Sequence, residues 1–518
     1  MKSHTIVGAL IALGTLAVEA GSSRPSVQPQ STLITNASVL DGTGARAQRV
    51  SVRITGDRIA EVGVLKPGPT DTVVDARGLT LAPGFIDTHS HHERGLPEAL
   101  APLSQGITTI VAGQDGGSAF PLKDSLARFD AAPVAINVAS YVGHGTLRRR
   151  VMGSDFRRAA TDAEVGRMAD LLRNEMQSGA LGLSTGLEYD PGIYSDPNEV
   201  IALAKVAAAA GGRYISHIRS EDRQFWKAID EAIEIGRQAR IPVQISHIKL
   251  AMRSLWGQTD RLLEALNAAR ASGVQITADI YPYTYWQSGM TVLFPNRDFD
   301  NRKEAEFALR EVTSPEGLLV TRFQQNAAYE GKTLAEIAKL RGTDPPQAMM
   351  DMIREAGEGD VGIVATSMQE PDVARLMQWP FANICSDGAS NGGHPRGFGA
   401  FTRVLGKYVR ETRALTLEEA IRKMTSLSAA NVGITNRGQI KPAYYADLVL
   451  FDPATVIDRA TTKEPRAMSA GIDTVWVNGE IVFEKGATTT RNPGRVLRRG
   501  ARSPAAVVQG FSPVDKQP

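Results

Sequence analysis

The sequence predicts an α/β protein: a (β/α)8 (TIM) barrel joined to a small β-sandwich domain that both ends of the chain build. Three observations predict it. The middle of the chain alternates apolar strand-like runs with helical-period segments, the βαβ rhythm of a parallel sheet, over a length that suits eight repeats. Short strands separated by turn residues precede this region and return after it, so the flanks belong together. Histidine is scarce, at 8 of 518 residues, and His217 and His247 stand 30 residues apart, about one βαβ unit.

Taken in order, the chain opens on Lys2 and an apolar run of 13 residues, 6–18, followed by Val18-Glu19-Ala20 with small residues where a signal peptidase reads. This run is shorter than the ~20 apolar residues a membrane-spanning helix needs. Residues 1–20 are therefore expected to be a signal peptide, and the mature protein to be periplasmic or secreted, without stable membrane insertion. After a Ser/Pro/Gln-rich spacer, strands are predicted at 32–40, 50–55 and 71–74, with Asp41-Gly42, Gly56-Asp57 and Arg77-Gly78 as turns. Strands 446–451, 474–478 and 481–484 match them near the end. The expected organisation is a sandwich from 32–84 and 436–498, a barrel over 85–435, and a polar, disordered tail over 499–518.

The barrel rhythm is clearest where Tyr214-Ile215-Ser216-His217 reads as a strand. Phe225, Ile229, Ala232 and Ile233 follow at helical spacing, and Val243-Gln244-Ile245-Ser246-His247 is a strand again. Both histidines then fall at carboxyl ends of strands, the face where barrel active sites lie. Nine strand-like runs compete for eight places, since 361–366 and 383–386 both qualify. Residues 285–360 interrupt the rhythm, with helices expected at 303–312 and 333–342, and read as a lid over the barrel mouth.

Composition narrows the function. With 58 basic and 56 acidic side chains the net charge is +2, which provides no basic stripe for nucleic acid. The single cysteine, Cys385, excludes internal disulfides and cysteine-rich metal sites. Against that background, Phe85-Ile86-Asp87-Thr88-His89-Ser90-His91-His92 holds three of the eight histidines. On a strand, residues two apart share a face, so His89 and His91 are expected to aim together into the barrel mouth and chelate one metal, with His92 pointing away.

With His217, His247 and Asp387 in Ile384-Cys385-Ser386-Asp387-Gly388, this set resembles the amidohydrolase superfamily, and within it the N-acyl-D-amino-acid deacylases (D-aminoacylases). The resemblance runs from about Thr32 to Arg498. It is carried by Ala82-Pro83-Gly84-Phe85-Ile86-Asp87, Val142-Gly143-His144-Gly145-Thr146-Leu147-Arg148, Ser184-Thr185-Gly186-Leu187-Glu188-Tyr189, Ser246-His247-Ile248-Lys249, Asp279-Ile280-Tyr281-Pro282-Tyr283, His394-Pro395-Arg396-Gly397 and Tyr445-Ala446-Asp447-Leu448-Val449-Leu450-Phe451.

The resemblance implies zinc-dependent hydrolysis of the amide bond of a small N-acyl-D-amino acid. One or two Zn2+ ions would be held by His89, His91, Asp115, His217, His247 and Asp387. Zinc would lower the pKa of a bound water toward neutrality and polarise the carbonyl. Asp387, at a strand end, is the expected general acid/base. Lys249, Tyr281 and Arg396 match the family's clamp on the substrate carboxylate, and Tyr189 matches a tyrosine that contacts the scissile amide. Asp115, in Val111-Ala112-Gly113-Gln114-Asp115-Gly116, stands where the family usually carries a cysteine. A carboxylate can still bind or bridge zinc, as a harder ligand. His144 reads equally as a support to the site or as a core histidine, and Cys385 as a buried packing residue.

Other readings share parts of this pattern. Hydantoinases and dihydroorotases bridge their metals with a carbamylated lysine, but no lysine occurs between Lys123 and Lys205. A deaminase has no use for a carboxylate clamp. A secreted metallo-dipeptidase or an L-selective amidohydrolase would keep the whole constellation, whereas a non-catalytic metal-binding protein would not need Asp387.

Overall fold

The computed structural model describes residues 30–96 and 98–500. The predicted signal peptide lies outside them, as does the predicted tail beyond Gly500. Among the described residues no helix is long and apolar enough to cross a membrane.

Eight parallel strands form the barrel: Phe85–Asp87, Ile107–Ala112, Asn137–Ser140 (resuming past Tyr141 as Val142–Gly143), Gly182–Gly186, Arg213–His217, Val243–Ile245, Ile276–Ile280 and Ala382–Ile384. Their residues are almost all buried, because a sheet covered by helices outside and packed side chains inside has no wet face. The ring closes just beyond the regular strands, where Ser90 bridges Gly388 and the Asp387 N–H donates to the His89 carbonyl at 2.9 Å. Between the fifth and sixth strands, helix Phe225–Ala239 buries Phe225, Ile229, Ala232 and Ile233, the positions its periodicity marked.

The two segments flanking the barrel meet in one hydrogen-bonded sheet of nine strands. Thr80–Pro83 from the first part pairs antiparallel with Leu448–Phe451 from the second. Ile34, Val52, Ile54 and Ile59 share a core with Leu448, Leu450 and Trp476. The Ile59 N–H donates to the Tyr444 carbonyl at 2.9 Å, so the far edge of the sheet returns onto the segment leading into its centre. The sandwich is thus one continuous sheet wrapped over its own core.

The ninth strand-like run belongs elsewhere. Gly362–Thr366 pairs antiparallel with Tyr285–Gly289 and Leu318–Arg322, away from the barrel, so the insertion extends to 366 and the eighth barrel strand is Ala382–Ile384. An apolar run has the same pattern in either sheet, and only its pairing partners distinguish them. The two helices expected in the insertion are present as Arg302–Phe307, which widens over its last turn through Val312, and Leu334–Arg341, capped by Thr333.

Candidate metal and substrate site

His89 and His91 lie past the end of the first strand, yet their ring nitrogens converge. Nε2 of His89 and of His91 stand 3.3 and 3.2 Å from Asp115 Oδ2, and 3.5 and 3.4 Å from Asp387 Oδ1. The other oxygen of Asp115, Oδ1, is 3.6 Å from His247 Nε2, which is 3.0 Å from His217 Nδ1. Asp115 therefore sits between two pairs of histidines, with one oxygen toward each. Asp115, His247 and Asp387 all occupy the left-handed backbone region, at φ 51°, 36° and 48°. Such conformations are costly for side chains with a Cβ and persist where the surroundings hold them, typically at functional sites. The Asp115 loop is held by close backbone contact: a Cβ on Gly186 would meet the Asp115 carbonyl at 2.2 Å, and one on Gly116 would meet the Gly186 nitrogen at 2.9 Å.

This donor set fits divalent metal. Two groups, His89/His91/Asp115/Asp387 and Asp115/His217/His247, each bring all their ligand atoms within 4.8 Å of one another. Four imidazoles and two carboxylates match the nitrogen and oxygen ligands zinc accepts. Asp115 Oδ1 is buried and has no hydrogen-bond partner. Burial opposes charge on His91, but the adjacent Asp115 and Asp387 carboxylates outweigh it and raise its pKa well above the usual range. A cation is the species the cluster is arranged to take.

Beside the ligands lies a narrow cavity lined by Tyr189, His217, His247, Lys249, Tyr281, Asp387 and Arg396. Arg396 Nη1 is 2.6 Å from Asp387 Oδ2, and its guanidinium lies 4.9 Å from the centre of the Tyr281 ring. Tyr281 Oη and Arg396 Nε are buried without partners. The Tyr189 ring packs 4.4 Å from that of His217. Lys249 is in the cavity but already paired: its Nζ donates to Glu221 Oε1 at 2.5 Å and is 2.7 Å from His247 Nδ1. Trp286, Val292, Leu293 and Val312 of the insertion also line the cavity.

The amidohydrolase family model matches residues 72–483. The chain belongs to the amidohydrolase family. It is 36% identical to a D-aminoacylase of Alcaligenes xylosoxydans xylosoxydans over 92% of this chain and 100% of that protein. It is 37% identical to the N-acyl-D-glutamate deacylase of the same organism, over 89% of this chain and 95% of that protein. The crystal structure of N-acyl-D-glutamate deacylase from Bordetella bronchiseptica, complexed with zinc and a phosphonate mimic of the tetrahedral intermediate, superposes with a TM-score of 0.82 at 35% identity, covering 91% of this chain and 100% of that one.

In this amidohydrolase a further set of carboxylates, missed from sequence, holds the candidate ligands in place. His217 Nε2 donates to Glu188 Oε2 at 2.8 Å, leaving Nδ1 directed at the cluster, and Glu221 Oε1 lies 3.2 Å from His247 Nδ1. The backbone N–H of His247 donates to Asp279. Asp87 accepts from the Ser386 N–H at 2.8 Å, which ties the first strand to the last beside Asp387; complete burial pushes its carboxyl up to about 7. Ligand orientation by carboxylates of this kind is general in metal sites. Glu188, Asp279 and Asp87 stand inside the motif runs, next to residues already singled out, whereas no pattern marks Glu221.

Three other residues take structural places. His144 pairs with Glu199 at 2.7 Å, which also binds the buried Arg148, so His144 belongs to the core beneath the Asp115 loop and not to the ligand set. His92 turns away from the ligands, and its Nδ1 is 2.8 Å from Ser390 Oγ. Cys385 is buried and donates its S–H to Asp279 at 3.2 Å, and burial raises its thiol pKa well above the usual range.

Proposed function

We propose that this protein hydrolyses the amide bond of N-acyl-D-amino acids, releasing a D-amino acid and a carboxylate, with zinc held by His89, His91, Asp115, His217, His247 and Asp387. The observation that carries this reading is a cavity in which the ligand cluster adjoins a buried cationic and hydroxylic clamp, Lys249, Tyr281 and Arg396. When bound, zinc at this donor set supplies a Lewis acid for the acyl carbonyl and acidifies a water. Arg396, with Tyr281 and Lys249, takes the substrate's free carboxylate, and Tyr189 orients the amide. Asp387 accepts the attacking water's proton and returns it to the departing amine nitrogen. The insertion covers the cavity and excludes bulk water.

The side-chain end of the cavity supports an apolar substrate. Ala251, Trp286, Val292, Leu293 and Val312 line the cavity, together with the acidic Glu188, Glu221 and Asp222. Both of its cations, Lys249 and Arg396, already contact carboxylates. The near-equal identities to relatives named for different side chains do not choose among them, whereas this lining favours a neutral one. Preference for the D configuration is supported by the relatives' names. Export through residues 1–20 is part of the same proposal and is supported by the sequence pattern alone; N-terminal sequencing of mature protein from cell fractions tests it.

The decisive experiment measures hydrolysis of N-acetyl-D- and N-acetyl-L-amino acids and of dipeptides, with metal content determined on the same preparation before and after chelation. The expected result is D-selective hydrolysis that chelation abolishes and added zinc restores. Full activity in a metal-free preparation overturns the reading, and faster cleavage of dipeptides redirects it to a metallo-dipeptidase.

A further inference from the structure

We propose that His394 is a positioning residue that holds Arg396 over the cavity and ties it to the first strand of the insertion. The inference rests on the reading of Arg396 as the group that binds the substrate carboxylate. Arg396 opens helix Arg396–Arg403, and the first N–H groups of a helix have no partner within it. Here the Arg396 N–H donates to His394 Nδ1 at 3.0 Å. On the other side of the same ring, Nε2 donates to the Tyr285 carbonyl at 2.9 Å, at the start of insertion strand Tyr285–Gly289. Trp286, Gln287 and Ser288, next along that strand, face the cavity.

One tautomer satisfies both bonds, the neutral ring with its proton on Nε2; a doubly protonated ring would set an N–H against the Arg396 N–H. Burial, reinforced by the Arg396 charge, holds the His394 pKa well below the usual range, consistent with that state. The ring is 2% exposed and packs among Tyr285, Tyr283 and Tyr281 at centroid distances of 4.7, 5.2 and 6.2 Å. Tyr281 is the ring next to the Arg396 guanidinium. His394 thus joins the clamp, the aromatic wall and the insertion through two directed bonds, although it is itself neither in the ligand cluster nor among the residues that line the cavity.

Two variants separate the two bonds. In His394→Asn the side-chain oxygen can still accept from the N–H two residues on but cannot reach Tyr285. In His394→Gln the longer amide can donate to the Tyr285 carbonyl but no longer caps Arg396. The assay compares kcat and KM for N-acetyl-D-leucine and N-acetyl-D-leucinamide, with metal content and Tm recorded for each variant. His394→Gln is expected to raise KM for the acid about tenfold, the scale of one buried hydrogen bond, and to leave KM for the amide nearly unchanged. His394→Asn is expected to keep the wild-type KM for the acid and to lower kcat a few-fold on both substrates, because the insertion is loosened. Both variants should retain full metal. Equal KM changes on acid and amide, indistinguishable variants, or loss of metal would overturn the proposal. A wild-type enzyme that does not distinguish acid from amide would instead remove the clamp reading on which it rests.

Discussion

Arg396 Nη1 and Asp387 Oδ2 are 2.6 Å apart, so the cation proposed to take the substrate's carboxylate touches the carboxylate proposed to move the proton. Burial opposes ionisation of Asp387, but Arg396 and His89 reverse this and hold its carboxyl well below the usual range. On the proposed roles, binding and chemistry share one contact, and variants at either residue should show it.

Arg396→Ala should raise KM sharply for substrates with a free carboxylate and matter much less for the corresponding amides. Truncation leaves a charge unpaired in a partly desolvated pocket, a cost of ~2–5 kcal/mol. Steady-state kinetics on matched acid and amide substrates check this. Equal losses on both would show that Arg396 does not bind the carboxylate.

Asp387→Asn preserves shape but removes the proposed proton acceptor. We expect kcat to fall by ~10²–10⁴, the range typical of a lost general acid/base. Metal analysis should still find the ion of the Asp115/His217/His247 group, which does not use Asp387. A variant with near wild-type kcat would assign the proton transfer to another group.

Asp115 faces both histidine pairs, so Asp115→Asn and Asp115→Ala should each lose bound metal and most activity. Asp115→Cys should restore metal at least partly, since a thiolate is a good zinc ligand. If asparagine supports full metal and full rate, the aspartate only shapes its loop, and the ligands are His89, His91, His217, His247 and Asp387.

The lining of the side-chain pocket predicts at least ~10-fold higher kcat/KM for N-acetyl-D-leucine or N-acetyl-D-phenylalanine than for N-acetyl-D-glutamate, as expected when a charge enters a pocket without a free partner. Comparable rates on the acidic substrate would mean that Lys249 or Arg396 exchanges its present carboxylate partner for the substrate's.

A stability prediction concerns Lys423, whose buried Nζ donates to the carbonyls of Trp379 and Ala382 at 2.6 and 2.9 Å. Burial lowers its pKa to about 8, with Glu419 opposing. Between that value and ~10.5 the unfolded chain binds the extra proton and the folded chain does not, so this group's contribution to stability rises with pH across the window. Thermal melts at pH 8 and pH 10 should show wild type gaining roughly 2–4 °C relative to Lys423→Met. A constant difference between the two proteins would show that Lys423 stays charged when folded.

The sequence alone determined the barrel, the flanking strands that combine, and the polar cavity residues Tyr189, His217, His247, Lys249, Tyr281, Asp387 and Arg396, though not Glu221 or the apolar lining from the insertion. Local patterning carries that much: apolar periodicity sets element type, and rare histidines at strand ends mark the functional face. His89 and His91 were correctly paired by their spacing even though the regular strand stops at Asp87. Tertiary structure alone decided what depends on contacts between distant segments. It placed Gly362–Thr366 in the insertion sheet, wrapped nine strands into one sheet, and moved His144 into a core ion pair with Glu199, 55 residues away. It set Asp115 between two histidine pairs and paired Lys249 with Glu221. None of these follows from periodicity, because a buried charge is stabilised by whichever partner the fold brings within hydrogen-bonding reach, and that partner leaves no trace in the residues beside it.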